Sequence, residues 1–140
     1  MLEKVHHHIV SELGQSARTD TIFVVTAVVF NLIVLGINSA VAGEAASSAE
    51  NTAANDVTMI IFIALAIFVN VISITALIVG KQTRGKLLSG LLSMYRDQKV
   101  DKYYDASLLT NYDKRYWMFT AVILCLAVTA VLVPLVIRFL

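Results

Sequence analysis

The sequence predicts an all-α, polytopic integral membrane protein with three transmembrane helices, and three observations carry that prediction. The 11 basic and 10 acidic side chains all fall outside three apolar stretches, Thr21 to Ala42, Val57 to Val79 and Tyr116 to Ile137. Each stretch has 22 or 23 residues, and at about 1.5 Å per residue such a helix measures roughly 33 Å, enough for a hydrocarbon core of about 30 Å. The composition agrees, with 58% hydrophobic and 15% charged residues and a mean hydropathy of +0.76, against roughly 45–50% apolar and ~25% charged in an ordinary soluble domain. With 140 residues in all, the polar segments are too short to fold separately, so a single membrane domain is expected.

The first element is an N-terminal amphipathic helix within residues 1–20. Leu2, Val5, Ile9 and Leu13 recur at steps of three and four, with Glu3, Lys4, His7 and Glu12 elsewhere, the pattern of a helix lying on the inner membrane surface. Gly14 is placed to interrupt it, and Asp20 to cap the first span. The span itself, 21–42, exceeds the roughly 7–15 apolar residues of a signal peptide, so it reads as retained despite the small residues at Ala40 to Ala42.

Residues 43–56 are small and polar and read as an outer loop, with helical extensions at the alanines. After the second span, 57–79, the segment 80–115 is basic. Leu87, Leu88, Leu91, Leu92 and Tyr95 recur at helical spacing beside Lys86, Arg96, Lys99 and Lys102. This second amphipathic helix either continues the span through Gly80 and Gly85 or bends there into the interface. The third span, 116–137, begins with Lys114, Arg115, Tyr116 and Trp117, an interfacial anchor of the kind amphipathic rings form at headgroup level. Pro134 removes one backbone donor near its end, and Arg138 can snorkel outward. The spans share no common polar pattern, so no internal repeat is read.

Basic residues are distributed unevenly. Lys4 and Arg18 precede the first span, none separates the first two, and eight lie between the second and third. The positive-inside rule therefore puts the N-terminus in the cytoplasm and the C-terminus outside. A cell inner membrane, bacterial or archaeal, suits so compact a chain. Lone Cys125 lies inside a span, so neither a disulfide framework nor a cysteine-based metal centre is available.

Four side chains stand out within the spans. Asn31 and Asn38 lie seven apart on one face of the first, and Asn70 and Ser73 share a face of the second, with Asn31 and Asn70 at nearly equal depth. An amide in hydrocarbon requires a partner, so these residues either bond between helices or line a pore made by several copies. His6, His7 and His8 point about 100° apart on a helix and cannot chelate one ion together; Glu3 with His7 and His8 with Glu12 are ordinary surface spacings, so no metal is expected.

Lys86, Arg96, Lys99 and Lys102 offer a docking face for lipid headgroups or a partner, diluted by Asp97, Asp101, Asp105 and Asp113. Tyrosines 103, 104, 112 and 116 interleave with basic residues, but no nucleic-acid module accompanies them and no nucleic-acid partner is expected. No intramembrane ionisable group is present to relay protons, and no acid–base constellation points to an enzyme or a cofactor. Two functions remain: a small homo-oligomeric channel with a neutral polar lining, or a non-catalytic accessory or scaffold subunit of a larger membrane complex.

Overall fold

The computed structural model of the chain describes residues 1–47, 50, 52–100, 102 and 107–140, and only the backbone of 107–110. Among them stand three helices, α1 (Leu2–Ser47), α2 (Thr52–Asp97) and α3 (Ser107–Phe139), and no strand. All three contain segments long and apolar enough to cross a membrane. α1 lies against both other helices more extensively than those two lie against each other.

The first two helices are longer than the sequence segments suggest. The N-terminal helix expected in 1–20 and the span 21–42 form one uninterrupted α1, so Asp20 lies mid-helix and caps nothing. Gly14 costs helix stability, about 1 kcal/mol against alanine, yet does not break α1. The basic amphipathic helix expected after the second span is likewise not a separate element: α2 continues through Gly80 and Gly85 to Asp97, and the rest of the 80–115 segment already enters α3 at Ser107. The loop expected at 43–56 shrinks because α1 runs to Ser47 and α2 starts at Thr52, consistent with the helix preference of its alanines. Residues 101 and 103–106, which include Tyr103, Tyr104 and two of the diluting aspartates, lie outside the described residues.

At 46 residues each, α1 and α2 measure roughly 69 Å, about twice what a bilayer core demands. The excess lies almost wholly at one end, where 2–20 of α1 run antiparallel to 80–97 of α2 as a stalk, flanked at its base by the first turns of α3 at Tyr112 and Asp113. His6 Nε2 lies 2.9 Å from the Tyr95 hydroxyl at the tip, and Ile9 lies beside Gly90. α2 then closes on a helix-ending turn: the amide of Val100 donates to Tyr95 and that of Lys99 to Arg96, with Lys99 at φ 57°, the left-handed position such caps use.

Burial repeats every seven residues, a regularity that uniform hydropathy conceals. Met59, Ala66 and Ser73 form one row on α2, and Asn70, Leu77, Arg84 and Leu91 another. α1 repeats the spacing with Asp20, Ala27 and Val34 and with Asn31, Asn38 and Ala45. α3 does so with Tyr116, Ile123 and Ala130. A seven-residue seam is the signature of left-handed helix packing, and alanine and serine on it let backbones approach where no hydrophobic force drives helices together in lipid. Leucines, valines and isoleucines off the seam stay exposed, among them Ile22, Ile33, Ile61 and Leu132, the expected lipid-facing surface.

Candidate functional site: the polar core between α1 and α2

Asn31 and Asn70 face each other across the middle of the α1–α2 seam, both buried. Asn31 Nδ2 donates to Asn70 Oδ1 and Asn70 Nδ2 to Asn31 Oδ1, each at 2.8 Å. Each amide gives its second hydrogen to a carbonyl one turn back, Ala27 at 2.8 Å and Ala66 at 2.7 Å. All four N–H donors are thereby used inside one chain, as hydrocarbon surroundings require. The equal depth read from the sequence ends in direct contact.

One level further along, Asn38 Nδ2 donates to the Met59 carbonyl at 3.3 Å, linking the same two helices, while its Oδ1 is buried without a partner among the described residues. Ser73 donates its hydroxyl to the Val69 carbonyl at 2.9 Å, a bond within its own helix that uses its one donor.

Sequence reasoning missed one buried charge interaction at the site. Asp20 and Arg84 form an ion pair between α1 and α2, with only 6% and 8% of each residue exposed. Gly80, one turn before Arg84 on the same face, makes the room: a Cβ there would lie 2.5 Å from Asp20 Oδ1. The signal was available in principle, since Asp20 adjoins the first span and Gly80 and Arg84 stand four apart, but pairing them needs the antiparallel register that only the long helices supply. A small cavity, large enough for about one water molecule, lies beside the pair between Ala17, Arg115 and Tyr116.

The residues expected to anchor the third span divide. Trp117 is exposed, as are Lys114 and Arg115, whereas Tyr116 turns inward and packs with Ala27, Leu77 and Ile123. The ammonium of Lys81 sits 4.7 Å from the centre of the Tyr116 ring and 3.2 Å from Asp113. At the opposite end of the bundle Arg138 grips Asp56 with two bonds, of 2.6 and 3.0 Å, in place of the free outward position expected of it. Its guanidinium holds the Asp56 carboxyl below the ordinary value, chiefly by hydrogen bonding, with burial opposing and the direct charge attraction adding.

Lys86, Arg96, Lys99 and Lys102 are exposed on and just beyond the stalk. His7 and His8 are also exposed, with Glu12 half-buried; it is His6 that makes a cross-helix contact. Among the described residues no three metal-ligating side chains gather.

Compared with protein-family models, with curated proteins and with solved structures, the chain finds no match in any of the three.

Proposed function

We propose that the chain is a non-catalytic accessory or scaffold subunit of a larger membrane complex. It inserts three times in a cell inner membrane, N-terminus inside and C-terminus outside, and holds up a helical stalk made by the extensions of α1 and α2. The observation carrying this reading is the closed bonding of Asn31 with Asn70. A channel assembled from several copies needs its polar side chains on the outward face of each copy, and here Asn31 and Asn70 are consumed in packing α1 on α2. The ionisable groups bordering the spans are likewise occupied with one another, Asp20 with Arg84 and Asp56 with Arg138, leaving no evident acid–base pair for catalysis among the described residues.

The stalk supports the scaffold reading from the other side. It continues the spans without a break, so a load or partner engaged near its tip is coupled directly to the membrane bundle. Exposed Lys86, Arg96 and Lys99 supply the basic face such docking uses, and the distribution of basic residues supplies the orientation.

Mass measurement in nanodiscs together with liposome conductance tests the proposal. A stoichiometric partner, with liposomes of the pure chain remaining electrically silent, is the expected result. A homo-oligomer whose conductance disappears in Asn31→Leu and Asn70→Leu without loss of assembly would overturn it in favour of the channel.

A further inference from the structure

On the side of the α1–α2 pair that α3 leaves uncovered runs a groove of about 610 Å³, within the roughly 300–1,000 Å³ typical of small-molecule sites. Its walls are two helical stripes. Glu12, Ser16, Thr19 and Phe23 follow one another at steps of four, three and four on α1, and Ile72, Ala76, Val79 and Thr83 do the same on α2.

The groove changes character along its length. Its part within the spans, at Phe23, Ile72, Ala76 and Val79, is apolar apart from Thr75, whose hydroxyl donates back to the Val71 carbonyl. Its part beyond them carries Glu12, Gln15, Ser16 and Thr83. It therefore crosses the level where hydrocarbon gives way to headgroups, and an occupant matching it must be apolar at one end and hydrogen-bonding at the other.

Charge narrows the occupant. The ionisable groups on the wall are both carboxylates, Glu12 and Asp20, with no basic side chain among the lining residues. Asp20 is committed to Arg84. Glu12 is half-buried and makes no ion pair among the described residues. A half-buried carboxylate in such surroundings favours a cation that also donates hydrogen bonds. The amide of Gln15 and the hydroxyls of Ser16 and Thr83 are suited to phosphate oxygens.

We propose that this groove binds one amine-headed phospholipid, with an acyl chain laid along Phe23, Ile72, Ala76 and Val79, its phosphate near Ser16 and Thr83, and its primary ammonium on Glu12. An anionic glycerol-headed lipid offers the same chain and phosphate but no cation for the carboxylate. A choline-headed lipid carries the cation without an N–H to donate.

Native mass spectrometry of the full chain, exchanged into nanodiscs of phosphatidylethanolamine, phosphatidylglycerol or phosphatidylcholine, tests the assignment. One retained phosphatidylethanolamine is expected, preferred at least about ten-fold over the other two, as one charge-assisted hydrogen bond implies. Glu12→Gln should bring the three lipids close to parity. Ala76→Phe, which fills the apolar half, should remove the retained lipid whatever its headgroup. If Ala76→Phe disturbs folding, the headgroup preference of Glu12→Gln decides alone. Equal retention by the unmodified chain, a preference that survives Glu12→Gln, or a protein helix found shielding Ala76→Cys from labelling in place of lipid would each overturn the proposal.

Discussion

Halfway through the bundle Asn31 and Asn70 exchange two hydrogen bonds, whereas near the end of the spans Asp20 and Arg84 join the same two helices by charge. Both layers sit on the seven-residue seam and both are buried. They differ in what happens when one partner is lost. An amide stripped of its partner keeps a bond to its own helix and remains neutral. A carboxylate stripped of its guanidinium is a lone charge beside hydrocarbon. The protein thus places neutral, self-contained polarity deepest and leaves full charge for the boundary, where Gly80 yields the space it needs.

The largest loss of stability is expected at Arg84. Arg84→Ala leaves Asp20 buried and uncompensated, and removing one member of a buried pair costs about 3–5 kcal/mol. Denaturant unfolding in detergent micelles measures it, and a loss no greater than that of an exposed-lysine substitution such as Lys86→Ala would show that the pair is solvated. The double variant Asp20→Leu with Arg84→Met should recover most of the loss, since apolar replacements of buried ion pairs are often neutral or better.

Gly80→Ala comes next. The new Cβ meets Asp20 Oδ1 at 2.5 Å, and the carboxylate cannot swing away without leaving Arg84. Overpacking of this kind costs about 1–3 kcal/mol. Because alanine is the better helix former, any destabilisation observed comes from the contact and not from the helix. Gly85→Ala, where nothing lies within 4 Å, is the internal control and should be neutral or stabilising.

These two layers were not equally legible in the sequence. The three spans could be read because exclusion of charge over 22 or 23 residues is a property of the chain alone. Asn31 and Asn70 stood out because an amide in hydrocarbon is conspicuous, and their depth could be counted from the span edges. Asp20 and Arg84 were hidden by their surroundings: an acid before a span looks like a cap, and an arginine among eight basic residues looks like topology. The length of α1 and α2 was obscured for a related reason. Gly14, Gly80 and Gly85 mark possible breaks by local propensity, and only packing of one long helix along another overrides them. Tyr116 shows the same limit, since ring chemistry suggests the interface while its place in the row with Ile123 and Ala130 turns it inward.

A smaller effect is expected in the deep layer. Asn70→Leu removes one partner and leaves Asn31 with its bond to Ala27, so the loss should lie near the range of interhelical hydrogen bonds in membranes, about 0.6 kcal/mol on average and about 1.7 at most. A double-mutant cycle with Asn31→Leu isolates the pair: the double variant should be less destabilised than the sum of the singles. Simple additivity would mean that the amides do not stabilise one another, and the contrast drawn with Asp20 and Arg84 would lose its deep member.

The smallest effect separates charge from amide by pH, at the far end of the bundle. Arg138 lowers the Asp56 carboxyl first through its hydrogen bond, so the folded value lies below the unfolded one, ordinarily about 3.9. A carboxyl lowered on folding adds stability above its unfolded value and forfeits it as pH falls through the folded one. The contact should therefore be unchanged from neutrality to about pH 5 and weaken below that. Side chains 20% and 31% exposed keep the change local, because solvent screens such pairs. Hydrogen exchange in the last turn of α3 should quicken on acidification, while amides around Asn31 and Asn70, which have nothing to titrate, stay protected. Asp56→Asn should abolish the response of the last turn. If that variant still loosens in acid, the sensitivity belongs to another carboxylate; if the middle of the bundle loosens in step, the neutral layer depends on the charged ends and the two are one cooperative unit.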